Sequence, residues 1–406
     1  MTVTLADVRA ADRRLDDPSV VRHTPVERSR SLSAMTGADV RLKMEHLQRT
    51  GSFKTRGAYN KLSRLAESDR DVSRVVAASA GNHAQGVALA ATTVGIDSTI
   101  VMPESAPSAK VDATRDYGGD VVLHGSDFQA ALSHAKDLAD EPNTEFVHAY
   151  DDPDIVAGQG TLGLELASDL PDIDTVVVPI GGGGLISGVA TALKGELDDV
   201  RVVGVQAADA ATVPDSLDKG VPVGVDDPST IADGIATGGI SELTLSLIEE
   251  HVDDIVVVSD DEIAYATLVL LERAKQLVEG AAAASVAALL SDDLDVSDEI
   301  VVPLLCGGNI DISMLQTVLS HALTDRDQLI RLRVRIEDEP GRMADLSTII
   351  GETGANIRSV RHDRAVDDLA VGEAFLVFEV VTGGSTHATA IIDAIREEGY
   401  AVERVA

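Results

Sequence analysis

From about residue 74 to residue 310, short runs of β-branched residues alternate with longer stretches of helical period. That alternation restricts the chain to βα units laid on a parallel sheet. Arg74-Val75-Val76-Ala77-Ala78 leads into a helical stretch at Ala84–Val94, and Ser98-Thr99-Ile100-Val101-Met102 is stopped by Pro103 before a second helix around Ser108–Tyr117. Asp174–Ile180, Arg201–Gln206, Ile255–Val258 and Ile300–Leu305 repeat the pattern. Their near-continuous apolar character suits strands covered on both faces.

The pattern changes after a helix that runs from Asp311 through His321 into Thr324-Asp325-Arg326-Asp327. Arg331–Ile336 alternates at period two, Gly341–Glu352 is amphipathic, Asn356–His362 and Ala374–Val381 read as strands, and His387–Glu398 reads as a helix. With a short last strand the order is βαββαβ, a ferredoxin-like split βαβ unit. The expected fold class is therefore α/β with a separate C-terminal domain. Its boundary is placed near Leu329, between residues 1–328 and 329–406.

At 406 residues the chain is long enough for two or three cores. The opening stretch MTVTLADVRAADRRLDD holds no continuous apolar run, so neither a signal peptide nor a membrane span is expected, and a cytoplasmic protein is. A lone cysteine, Cys306, excludes an intrachain disulfide and a multi-cysteine metal cage. The formal charge is −35, which makes nucleic acid and anionic membranes poor partners. Because Asp and Glu are spread along the chain, the surplus is read as a salt-adapted, halophilic surface whose self-repulsion concentrated salt screens.

Four motifs carry chemistry. Gly51-Ser52-Phe53-Lys54-Thr55-Arg56-Gly57-Ala58 puts a lysine just before a helix in a chain poor in lysine. A partly desolvated amine there can form a Schiff base with an aldehyde cofactor, whereas a plain surface lysine is the alternative. Ser79-Ala80-Gly81-Asn82-His83 lies between a strand and a helix, where free backbone N–H groups either meet an anion or simply make a tight turn. Gly181-Gly182-Gly183-Gly184-Leu185 follows a strand and opens a helix, a backbone able to wrap a phosphate. No dinucleotide spacing with a following acidic residue accompanies it. Cys306-Gly307-Gly308-Asn309 sits at the C-terminal end of a strand, the edge where open α/β sheets bind ligands, although a buried small residue reads the same way.

In this order and spacing, over roughly residues 15–325, the four motifs resemble the fold-type II pyridoxal-phosphate (PLP) enzymes. SFKTRGA is most similar to the threonine and serine dehydratase branch, with Thr55 where sister branches carry an acidic residue. The resemblance implies two open parallel-sheet domains, the smaller at about 55–155 inserted in the larger. It also implies removal of ammonia from L-threonine to give 2-oxobutanoate, with L-serine as a second substrate, in a homo-oligomer.

By the same resemblance, Lys54 holds PLP and takes the Cα proton, Phe53 and Gly234 cover the two ring faces, and Gly181, Gly182, Gly183, Gly184 and Leu185 bind the phosphate. Asn82 faces the phenolic oxygen, Glu279 lies near the ring, and Cys306 faces the pyridine nitrogen. Ser79, Ala80, Gly81, Asn82 and His83 receive the substrate carboxylate. Ala80 stands where related serine racemases place a serine, so inversion lacks its proton donor. Gln206 and Thr212 stand where that branch holds a divalent ion, so no metal is expected.

The C-terminal segment resembles an ACT domain, an amino-acid-sensing module. Glu339, Pro340, Gly341 and Arg342, in the loop after the first strand, and Asn356, opening the second, are the implied effector contacts. A branched-chain amino acid, isoleucine first, is the implied effector, because 2-oxobutanoate leads toward it; a purely structural oligomerisation domain is the alternative. Two other readings of the whole chain stand beside these: a serine-preferring dehydratase, since one methyl group discriminates by only about 1–3 kcal/mol, and a catalytically silent amino-acid sensor.

Overall fold

The computed structural model describes residues 2–364 and 369–405, and these form two compact units, Met1–Asp311 and Ile312–Ala406. In the first unit, β1 (Val26–Arg28) and β2 (Asp39–Lys43) are followed by β3 (Arg74–Ala78), β4 (Asp97–Met102), β5 (Asp120–Leu123) and β6 (Thr144–Phe146). Then come β7 (Thr175–Pro179), β8 (Arg201–Ala207), β9 (Asp254–Val258) and β10 (Ile300–Pro303). They make two sheets, ordered β1-β2-β10-β7-β8-β9 and β5-β4-β3-β6. Every neighbouring pair is parallel except β1 with β2.

The all-apolar runs become the sheet centres for a physical reason. β7, Thr-Val-Val-Val-Pro, is buried at every position, and only a strand with helices over both faces can hide so much branched side chain. The short strands β1, β2, β5 and β6 were not anticipated, and each mixes charged or polar residues into its few positions. For β2, β5 and β6, pairing with an apolar neighbour makes them strands, and β1 forms on the edge of β2.

The smaller sheet is an insertion, and two crossover helices bound it: Lys54–Glu67 on the way in and Pro153–Asp169 on the way out. These two helices touch backbone to backbone. A Cβ on Gly158 would lie 2.6 Å from the Cα of Gly57, so neither position tolerates a side chain without moving a helix. The Gly57 N–H donates to Gln159 Oε1 at 3.0 Å across the same contact. On its next glycine, Gly160, helix Pro153–Asp169 meets the helix Gly184–Glu196, where a Cβ would stand 2.8 Å from the Gly188 carbonyl. One glycine-faced helix thus fixes the starts of two others, and both starts carry motifs singled out in the sequence.

In the second unit a helix, Ile312–Asp325, precedes β11 (Leu329–Glu337), helix Arg342–Glu352, β12 (Asn356–Asp363), β13 (Glu373–Val381), helix Ser385–Glu397 and β14 (Ala401–Val405). The antiparallel sheet has the order β12-β13-β11-β14, the arrangement expected of a βαββαβ unit. β11 buries every second residue, and Ile330, Leu332, Val334 and Ile336 form its core with Leu376, Phe378, Ile391 and Ile395. The division between units falls at Asp311, ahead of the boundary expected near Leu329, because helix Ile312–Asp325 packs with β11.

Candidate active site

Lys54 is the first residue of helix Lys54–Glu67, and Phe53 precedes it without any side-chain cap. The lysine Nζ donates to the Ala149 carbonyl at 3.2 Å and lies 5.1 Å from the centre of the Phe53 ring. Burial brings the amine down to about 8, against the opposing pull of Cys306 and Glu279. Such an amine is partly neutral near neutral pH, and neutrality is what a nucleophile or proton acceptor needs.

Three segments converge around it. Phe53 N–H donates to the Cys306 carbonyl at 3.2 Å, and Ser52 and Gly307 form an antiparallel bridge. The Cys306 side chain is 2% exposed, and burial, reinforced by Glu279, pushes its thiol well above the usual range. It is a neutral group, not an acid partner. Asn82 Nδ2 donates to both Glu279 oxygens, at 2.9 and 3.1 Å, while Asn309 Nδ2 donates to Asn82 Oδ1 at 2.7 Å and to the Thr50 carbonyl at 2.7 Å. Glu279 is partly exposed, yet its carboxyl is enclosed enough that burial raises its affinity for a proton above the ordinary glutamate value. A Cβ on Gly307 would stand 2.6 Å from the Glu279 carboxyl carbon, and one on Gly234 would stand 3.1 Å from Glu279 Oε1. Both glycines leave room for that carboxylate.

Two helix starts face the same region with bare backbone. Helix Asn82–Val94 begins at Gly81, which offers no side-chain cap, and a Cβ there would meet nothing within 4 Å. Ser79 Oγ accepts the Gly81 N–H at 3.1 Å and so shapes the turn. Helix Gly184–Glu196 begins at Gly183, whose φ of +88 is left-handed and suits glycine. A Cβ on Gly182 would collide with the Tyr150 ring, and Thr244 Oγ1 donates to the Gly182 carbonyl at 2.9 Å. Unsatisfied N–H groups with the positive ends of two helices form a cradle for anions.

An enclosed amine of lowered pKa, two uncapped helix starts, a neutral thiol and an amide side chain match the donor set that an aldehyde cofactor bearing a phosphate requires. Against the model of the family described as pyridoxal-phosphate dependent enzyme, residues 19–307 match. The chain belongs to that family. Residues 330–398 match the ACT domain model, and the C-terminal sheet is an ACT domain. An L-threonine ammonia-lyase of Thermotoga maritima is 44% identical over 99% of this chain and 100% of its own length. Among solved structures, processed threonine deaminase isoform 2 of Solanum lycopersicum has a TM-score of 0.74 at 35% identity, over 79% of this chain and 90% of its own. Maize serine racemase also reaches 0.74, at 34% identity, over 80% of this chain and 100% of its own.

Within this PLP-dependent chain not every expected contact is a side-chain contact. His83 is buried, its Nε2–H donates to the Val147 carbonyl at 3.0 Å, and burial with the Lys54 charge drops it to about 3. Only its backbone can serve a ligand at the turn. Leu185 packs in the core of the larger sheet, so it too offers backbone alone. Gln206 is buried and spends its amide on its own loop: Oε1 accepts from Thr212 N and Val213 N at 3.0 and 2.8 Å, and Nε2 donates to the Ala210 carbonyl at 3.2 Å.

The ACT-domain contacts do not gather into one place. Arg342 pairs with Glu339 at 3.1 Å, and Gly341, with φ +101, caps helix Arg342–Glu352, so Glu339 to Arg342 form one loop. Asn356 pairs with Val381, whereas Glu337, next to that loop, pairs with Glu373. At about 3.4 Å per residue the two places lie about 27 Å apart along β13. Within one chain Asn356 and the loop are apart, because helix Arg342–Glu352 carries the chain back to the far end of the sheet before β12 begins.

Tyr150 and Thr244, which back the glycine loop, were not singled out in the sequence, and no local motif marks either. Asn309 stood within the Cys306-Gly307-Gly308-Asn309 motif without a role. Among the described residues, no helix is long and apolar enough to cross a membrane.

Proposed function

We propose that this protein removes ammonia from L-threonine by β-elimination, giving 2-oxobutanoate. The observation that carries the reading is the enclosed Lys54 amine, lowered to about 8, with Cys306 and the Asn82-bound Glu279 close enough to act on it. Its near full-length likeness to a relative named L-threonine ammonia-lyase supports the substrate.

Pyridoxal phosphate, when bound, supplies an aldehyde that captures amines and a ring that draws electrons from the α-carbon. Lys54 would hold it, and the same amine would take the Cα proton of the substrate. Backbone N–H groups of Gly181 to Leu185 would hold the phosphate, and Asn82 would bind the phenolic oxygen. The turn from Ser79 to His83 receives the substrate carboxylate, with His83 contributing only its backbone. Phe53 and Gly234 would cover the two ring faces, with Glu279 beside the ring. Cys306, whose thiol burial keeps protonated, would face the ring nitrogen and would not supply the charge that an acidic partner supplies. Ala80 carries no proton for inversion at Cα.

The functional division follows residues 1–328 and 329–406, with isoleucine acting at the loop Glu339 to Arg342 through a coupling of about 1–3 kcal/mol. The protein acts as a cytoplasmic homo-oligomer adapted to concentrated salt, which cell fractionation and light scattering at several salt concentrations check. The central test is oxo-acid formation from competing L-threonine and L-serine, with and without isoleucine. 2-Oxobutanoate in excess, pyruvate without D-serine and a shift with isoleucine are expected. No oxo acid from a protein fully loaded with PLP would make it an amino-acid sensor instead.

A further inference from the structure

On the side of helix Lys54–Glu67 away from the candidate site lies a second set of interior charges. Arg56 is 1% exposed, Glu45 and Lys43 are 0% exposed, and none of them has a part in the proposed reaction, although Arg56 lies two residues after Lys54 in the lysine motif. Arg56 Nε donates to Glu45 Oε2 at 2.9 Å and Nη2 donates to Glu45 Oε1 at 2.8 Å, a two-pronged fork. Its Nη1 reaches Glu165 Oε1 at 2.7 Å and Thr161 Oγ1 at 3.1 Å, and Nη2 also reaches the Arg22 carbonyl at 3.3 Å. All five guanidinium N–H groups thereby have a partner. Lys43 completes the set, donating to Glu165 Oε2 at 2.7 Å and to the Thr24 carbonyl at 2.8 Å, while Thr24 Oγ1 donates to Glu45 Oε1 at 2.5 Å. Two positive and two negative groups balance.

Such a cluster is a poor way to make a fold stable. Removing charges from water costs several kcal/mol per ion, and apolar replacements of the same shape are often as stable. What a fully partnered guanidinium does supply is direction, because a planar fork with every donor occupied has one orientation. That direction is needed here. Helix Lys54–Glu67 starts at Phe53 in a helical conformation with no capping side chain, and its start is held by backbone contacts and the Thr50–Thr55 hydroxyl pair at 2.8 Å, none of which has the directional fork of a guanidinium. Arg56, two residues on, ties this start to the segment Glu45–Leu47 after β2 and to helix Pro153–Asp169.

We propose that Arg56, held by Glu45 and Glu165, is a positioning residue that aims the Lys54 amine. The inference rests on Lys54 being the cofactor lysine. Misplacing a reacting group by about 1 Å costs up to about a hundredfold in rate, so loss of the fork acts on chemistry before it acts on folding.

The test compares three variants of the full chain. Arg56→Lys keeps the charge and loses the fork, Glu165→Gln removes one charge and keeps the shape, and Leu62→Ala opens a cavity in the same helix far from the cluster. For each, the rate at which added PLP forms its protein-bound absorbance band, the pH at which that band titrates, kcat, the threonine KM and Tm are measured. In Arg56→Lys, kcat and the rate of band formation are expected to fall about tenfold to a hundredfold, with a shifted titration and little change in KM. Glu165→Gln moves the same quantities less, and Leu62→Ala lowers Tm while leaving the titration at its wild-type position. Should Arg56→Lys not fold, Glu165→Gln decides. Variants that lower Tm alone, with wild-type titration and kcat, overturn the positioning role. A wild-type protein that binds no PLP overturns the reading of Lys54 instead.

Discussion

Two sets of interior charges flank the start of one helix, and they are built in opposite ways. Around Arg56 all five guanidinium N–H groups meet acceptors, and Glu45, although burial favours its protonation, is held below the usual carboxylate range by Arg56. Around Lys54 the amine has one carbonyl partner, and burial shifts Lys54 down and both Glu279 and Cys306 up. Complete pairing fixes geometry. Incomplete pairing leaves protonation open to change, and that is the property an acid or base in a reaction needs.

The strongest way to break this contrast is Lys54→Ala. Oxo-acid formation should fall at least about ten-thousandfold and the protein-bound PLP band should vanish. A variant that stays yellow and active would mean the uncompensated cluster is not the reacting one.

A second expectation turns on pH. Because burial lowers the Lys54 amine to about 8, its neutral fraction grows as pH rises through that value. Capture of PLP by the cofactor-free protein, followed by stopped-flow absorbance, should be half-maximal near that pH and slow about tenfold for each unit below it. A half-point at the ordinary lysine value would show that the amine is not enclosed as described.

The smallest effect sharpens the contrast from outside the interior. Lys219 and Asp215 form a pair on one exposed helix at 2.9 Å, with side-chain exposures of 52% and 67%. Lys219→Ala should change unfolding free energy by about 0.5 kcal/mol or less in dilute salt and by nothing measurable in concentrated salt. Denaturant melts at both salt levels check it. A larger change would show that exposed pairs carry weight in this strongly acidic chain.

Much of the candidate site is written locally. Lys54 precedes a helical period, Asn82 and the four glycines from Gly181 to Gly184 sit where strand becomes helix, and Cys306 ends an apolar strand. Each is visible because a turn, a cap or a strand edge is decided by a few neighbouring residues. Tyr150 and Thr244 escape such reading: they matter only because the glycine loop comes to rest against them. The separation of Asn356 from the Glu339 to Arg342 loop within one chain was hidden for the complementary reason, since a motif gives sequence order and the direction of β12 in the sheet decides distance.

By itself, then, the sequence determined the period of each element, the split between a parallel α/β core and a βαββαβ end, and which residues begin the helices of the candidate site. Only the tertiary structure decided which charges share an interior. Lys43 and Glu165 stand 122 residues apart in the chain, and their pairing depends on how helix Pro153–Asp169 lies against the larger sheet. Local propensity acts over a few residues, whereas the pairing of a buried charge is set by whatever the fold carries to it, and leaving it unpaired costs more than any local preference returns.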